Sequence, residues 1–404
     1  MLAKLNAMDT WRRNLYVLWF GVFMTGIGFS EVMPFLSLYV DTLGHFSKNQ
    51  LTLYSGMAFM MSFLVQIFVS PLWGKLADSK GRKLMLIRAA LGMAVAFGLM
   101  GFVTNVWELI ALRALQGFFG GFVSNANAMI ASQTPKEHSG YALGVLVTGI
   151  TAGNLLGPFV GGVLASIVSY RMAFFITSGI LLLVLILVIW LVKEEFTPIA
   201  RGKALKAKEV IEKLPYARVT LGLFITTMIV MTVNTSISPI VALFVRELNH
   251  GAGNTTFLAG VIAAMPGIAT VIAAPRFGRL GDHIGTRRII MYGFILAFWV
   301  FIPTSFVTSV TQLAIMRFMV GISDATMLPA IQTLLTKTTP KEITSRIFAY
   351  NQSFQSIGAV AGPLMGTVVA SYMDYRGIFL VSGLLIAVNA GLFMWNTRVL
   401  KDLK

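Results

Sequence analysis

Gly74-Lys75-Leu76-Ala77-Asp78-Ser79-Lys80-Gly81-Arg82-Lys83 returns, 204 positions on, as Gly278-Arg279-Leu280-Gly281-Asp282-His283-Ile284-Gly285-Thr286-Arg287-Arg288. The same spacing separates Arg113 from Arg317 and Gly117 from Gly321, each inside an apolar run. Thr134-Pro135-Lys136-Glu137 comes back one position later, as Thr339-Pro340-Lys341-Glu342. One half of the chain repeats the other. A duplicated, largely apolar chain of 404 residues has the pattern of a transporter built from two helical bundles, with the substrate path between the repeats.

Only 12% of the residues are charged and 56% are hydrophobic, whereas about a quarter of a water-soluble domain is charged. The solvent of this chain is therefore mainly lipid. Runs near the roughly 20 residues needed to cross a bilayer lie at about 15–40, 52–73, 84–103, 107–130, 140–166 and 172–192. The second half has them at about 219–245, 256–277, 289–307, 311–336, 344–371 and 377–396. Six per half predict an all-α membrane protein of twelve transmembrane helices in two pseudo-symmetric six-helix bundles, residues 1–192 and 219–404. The polar stretch 193–218 is the expected cytoplasmic linker, with an amphipathic surface helix at 203–214.

A net charge of +16 raises the question of nucleic acid, but its distribution answers it. With the N-terminus placed in the cytoplasm, all but six of the 32 Lys and Arg fall on the cytoplasmic side, five of them in the stretch 74–88. Lys48, Arg171, Arg246 and Arg376 lie opposite, and Arg113 and Arg317 lie inside runs. This is the positive-inside pattern, which puts both termini in the cytoplasm and makes anionic lipid, not nucleic acid, the partner of the basic surface. The chain has no cysteine, hence no disulfide and no thiolate chemistry. The first run is long, lacks a small-residue cleavage site and carries Glu31, so it reads as a retained helix and not a signal peptide.

Of the sixteen acids, Glu31 and Asp324 lie deep within apolar runs. An ionised group at the bilayer centre costs about 2.5–3.5 kcal/mol even on lenient scales, so such residues face a bundle interior or a wet cavity. A carboxyl group there can hold a proton and release it when the cavity wets or a cation arrives, which is the minimum chemistry of proton coupling. Arg113 belongs to a stripe with Gln116, Gly120, Ser124 and Asn127 at helical spacing, and Glu31 is a candidate partner for it. Arg317 and Asp324 are seven residues apart and share a helical face. The plainer role for each Arg is to satisfy a carbonyl or a lone acid and hold its bundle together.

In the loop at 74–83, Gly74 and Gly81 permit the tight turn between two helices. Asp78 can face the positive end of a neighbouring helix and Arg82 can pair with an acid, contacts that would latch the cytoplasmic side; Asp282 and Gly285 are the second copies of Asp78 and Gly81. Gly149, Gly153, Gly157 and Gly161 recur every four residues and so share one face, on which backbones approach closely in lipid, while Pro158 removes a helical donor. Gly358, Gly362, Pro363 and Gly366 are a shorter echo. The cavity candidates are softer: Met24 and Phe35 supply thioether and aromatic surface, and Gln116, Asn127, Asn154, Asn234, Asn351 and Gln355 neutral polar groups. Together they suit amphipathic drugs better than sugars, although packing is the commoner role for any one of them.

The string at 74–83 and its copy at 278–288 resemble the signature loop of the major facilitator superfamily. Arg113-Ala114-Leu115-Gln116-Gly117 resembles its fourth-helix motif, and Gly149 to Gly162 the fifth-helix motif of its antiporters. The resemblance covers nearly the whole chain and is strongest to the twelve-helix drug:proton antiporters of bacteria. It implies export by alternating access across the inner membrane, coupled to protons, by a monomer without cofactor or metal. Glu31 matches no family motif, so its role rests on its position. Within the same fold the alternative is a dedicated exporter or flippase of one lipid or metabolite, and less favoured is a non-transporting receptor. No cluster with metal-ligand spacing, no G-x-S-x-G and no phosphate loop supports an enzyme, and no nucleotide motif supports ATP as the energy source.

Overall fold

The computed structural model describes residues 9–194, 214–251, 253–340 and 343–400, so the expected helix at 203–214 falls almost wholly outside the described residues. The first half holds α1 (Thr10–Ser30), α2 (Leu36–Asp41), α3 (Lys48–Lys80), α4 (Arg82–Met100), α5 (Val106–Phe119), α6 (Phe122–Gln133), α7 (Lys136–Ile167) and α8 (Tyr170–Leu191). The second holds α9 (Ala217–Ser236), α10 (Val241–Leu248), α11 (Thr255–Ile284), α12 (Thr286–Thr304), α13 (Val310–Thr338) and α14 (Thr344–Asn396). Among the described residues, ten helices are long and apolar enough to cross a membrane, with 106–133 counted as one. The 53-residue α14 is two spans joined at Asp374, whose φ of 64° and ψ of 179° are not helical. With α1, this gives the twelve spans of the two-bundle fold.

Contacts divide the chain into two compact units, residues 1–45 with 61–202 and residues 46–60 with 203–404. In the first, α1 packs on α7 and α4 on α8; in the second, α9 packs on α14 and α11 on α13. The segment 46–60 joins the second unit through Lys48, whose Nζ lies 3.1 Å from Glu247 Oε2 and also pairs with Asp374, and through Thr367, which donates to the Thr52 carbonyl at 3.4 Å. The first part of α3 thus groups with the second unit.

Two spans expected to be continuous are broken. The run 15–40 becomes α1, a turn and α2; the run 219–245 becomes α9, a turn and α10. Pro34 and Pro239 explain both, since each lacks an N–H and its ring clashes with the carbonyl four residues back, that of Ser30 or Thr235. The third break, within 107–130, falls at Gly120–Gly121.

Candidate functional site

In the first unit, Glu31 sits where α1 ends and is 1% exposed. Its N–H bonds to the Ile27 carbonyl at 2.8 Å, and its carboxylate accepts from the Thr177 hydroxyl on α8. Thr177, 146 residues away, is a partner that the sequence does not single out. A hydroxyl is both donor and acceptor, so Thr177 can serve Glu31 in either protonation state. Arg113 and Gln116, each 2% exposed, meet through a bond from Arg113 Nη1 to Gln116 Oε1.

The stripe expected from Arg113 to Asn127 is not one helix face. It is cut at Gly120–Gly121, leaving Arg113 and Gln116 on α5 and Ser124 and Asn127 on α6. Phe35 is a second correction. It is 0% exposed, stacked on Tyr170 at 5.8 Å and edge-on to Phe174 at 5.5 Å, because the turn at Pro34 carries it into an aromatic core and not to a cavity wall. Met24 is half-buried and Asn154 exposed.

Gly149, Gly153, Gly157 and Gly161 of α7 all lie against the first span. A methyl group at Gly149 would stand 3.1 Å from the Trp19 carbonyl, and one at Gly153 would overlap the Phe23 carbonyl. At Gly157 it would overlap the Ser30 hydroxyl and stand 2.9 Å from the Ile27 carbonyl; at Gly161 it would overlap the carbonyl of Glu31 itself. The helix that packs here therefore also fixes the backbone from which Glu31 projects, and it runs on through Pro158 as one element. Ser30 crosses the seam, its hydroxyl 3.3 Å from the Gly153 carbonyl.

The second unit repeats the seam. Gly358, Gly362 and Gly366 meet the backbone of α9 at Met228, Thr232 and Ser236, and Thr235 reaches the Gly358 carbonyl at 3.3 Å. The acid is elsewhere: Asp324 lies inside the unbroken α13, 9% exposed, with Asn234 Nδ2 at 3.1 Å from both carboxylate oxygens. Arg317, two turns back, keeps buried Nε and Nη1 groups with no hydrogen-bond partner among the described residues. Asn351 is buried and Gln355 half-buried.

Both signature loops turn on a left-handed glycine, Gly81 (φ 93°) before α4 and Gly285 (φ 98°) before α12. Gly74 does not form the turn as expected, because α3 runs on to Lys80; it lies inside that helix with open space around it. The side chains of Asp78 and Asp282 lie outside the described residues. Among the described residues the Arg82 guanidinium meets no acid and donates instead to the Ala128 carbonyl on α6. Glu194 instead accepts from the Arg82 and Lys83 N–H groups, both at 2.8 Å, and so caps the positive end of α4.

A family model, the Major Facilitator Superfamily, matches residues 18–237 and 223–403, once over each half of the chain. The chain belongs to the Major Facilitator Superfamily. It is 46% identical over 387 residues to the multidrug resistance protein MdtG of Salmonella heidelberg, covering 96% of each chain. It is 47% identical to MdtG of Escherichia fergusonii, covering 96% of this chain and 95% of that one. Among solved structures, a bacterial homolog of the human lysosomal transporter Spinster superposes with a TM-score of 0.81 at 14% identity, covering 97% of this chain and 98% of that one. The nucleoside transporter NupG gives a TM-score of 0.75 at 13% identity, covering 97% of this chain and 100% of that one. At such identities these two speak for the fold alone.

Proposed function

We propose that this superfamily member exports structurally diverse hydrophobic or cationic drug-like compounds by alternating access, in exchange for protons, as a monomer in the bacterial inner membrane with both termini cytoplasmic. The observation that carries this reading is 46% identity to MdtG along 96% of both chains. Glu31 is the proton carrier in this reading, supported by its burial and by a Thr177 partner able to bond either protonation state. Asn234, by contrast, turns a donor toward both oxygens of Asp324, a grip that matches a carboxylate. Arg113 and Gln116 form the polar centre of the first unit, Arg317 stays charged beside Asp324, and Asp78, Arg82 and Asp282 stand at the helix ends that flank the cytoplasmic turns and that latch and release.

A panel of fluorescent cationic dyes tests this in cells that express the protein, with and without a protonophore. Extrusion of several unrelated dyes that stops when the gradient collapses is the expected result. Extrusion that survives the protonophore would contradict proton coupling, and indifference of all the dyes would favour a dedicated exporter of one lipid or metabolite.

A further inference from the structure

Arg88 has a charge that counts among the basic residues of the stretch 74–88, yet it sits within α4 and turns inward. Its Nη2 donates to the Gly120 carbonyl at 2.8 Å, and its guanidinium lies 3.8 Å above the ring of Trp73. Trp73 in turn donates Nε1 to the Phe118 carbonyl at 2.8 Å. Both carbonyls belong to the end of α5, where the fourth span comes apart. Gly120 is extended (φ −56°, ψ 174°) and Gly121 left-handed (φ 103°, ψ 12°), a conformation that only glycine adopts without strain. Breaking a helix in lipid frees carbonyls that water cannot reach, so the break persists only where neighbours satisfy them. Two neighbouring side chains do so here.

The duplication supplies an internal control. At the same offset of 204, Asp324 and Ala325 stand for Gly120 and Gly121, Tyr292 for Arg88 and Phe277 for Trp73. Phenylalanine has no hydrogen to donate, Tyr292 is 56% exposed, and α13 runs unbroken from Val310 to Thr338. Among the described residues neither of these side chains donates to the span, and the span is unbroken. We propose that Arg88, seated on Trp73, is a positioning residue for transport: it holds the fourth span open at Gly120–Gly121, so that Arg113 and Gln116 on α5 and Asn127 on α6 are aimed separately. This does not depend on which acid carries the proton.

The natural absence of cysteine allows a direct test on the full-length protein. Spin labels on Ala111→Cys in α5 and Ala131→Cys in α6, both exposed positions, report the angle between the halves. An uninterrupted helix would separate them by about 30 Å, the rise of 20 residues. Arg88→Met, which keeps length and loses the donors, should move the distribution toward that value and lower maximal dye export about tenfold, the effect of one buried carbonyl left unsatisfied. The KM should stay near that of the parent, and Arg88→Lys should recover part of both effects. A parental distance distribution in Arg88→Met overturns the proposal whatever export does, and parental export with a changed distribution overturns its functional half. Should Arg88→Met fail to insert, Trp73→Phe, which deletes only the bond to Phe118, should give a smaller shift in the same direction, and no shift there also overturns it.

Discussion

The two halves share a skeleton and differ in where they keep their acid. In each, a glycine face meets the backbone of the half's first span, at Gly153, Gly157 and Gly161 in one and at Gly358, Gly362 and Gly366 in the other. Each first span is broken at a proline, and a hydroxyl crosses the seam, from Ser30 to Gly153 and from Thr235 to Gly358. On that common frame, the first half places Glu31 at the break, where the second has Ser236; the second places Asp324 mid-helix, where the first has Gly120. Duplication preserved the packing that holds backbones together in lipid, while the position of the buried acid diverged.

If the glycine seams are equivalent, enlarging either should abolish function, which is the largest effect expected. Gly157→Val and Gly362→Val each drive a branched side chain into a facing backbone that has no room to yield. Dye export by both should fall to background at matched membrane expression. Normal export by Gly362→Val alone would show that the second seam is not under the same constraint.

The duplication, the spans and the shared glycine face were legible in the sequence because each is a local regularity: a repeat, an apolar run, a period of four. The interruptions were not, because hydropathy averages over them. Pro34, Pro239 and the Gly120–Gly121 pair were the signals available, and a Gly-Gly pair within an apolar run is a break signal in its own right. Partnerships across the fold left no local trace. Thr177 lies 146 residues from Glu31, Asn234 lies 90 from Asp324, and Glu194 lies 112 from the N–H of Arg82. Arg88 reads as a loop charge until its stem is seen running inward to Gly120.

The loops should differ in the same direction as the acids. Asp78→Asn, in the copy that retains Gly-Arg-Lys after it, should lower export about tenfold, the upper range for a charge at a helix end, and Asp282→Asn only about twofold. Transport rates in vesicles with matched protein content check this, and equal losses would make the loops interchangeable. The smallest contrast concerns the partners of the acids. Thr177→Val should lower export about fivefold, in line with one net hydrogen bond, while Thr177→Ser restores it. Asn234→Ala should change export per inserted molecule by less than about twofold, because Asp324 carries no coupling proton, and the cost of leaving its carboxylate without that donor should fall on membrane expression instead. A larger loss in Asn234→Ala than in Thr177→Val would reverse the assignment of roles.

The proposed exchange turns on Glu31 as the carrier of the coupling proton. Purified Glu31→Gln in proteoliposomes, with dye binding and dye accumulation under an imposed pH gradient measured on one preparation, tests it most directly. The amide imitates a permanently protonated side chain, so binding should match the unaltered protein while gradient-driven accumulation is lost, and Asp324→Asn measured in parallel should keep part of it. Accumulation by Glu31→Gln at the unaltered rate would rule Glu31 out as the proton carrier and pass the role to Asp324.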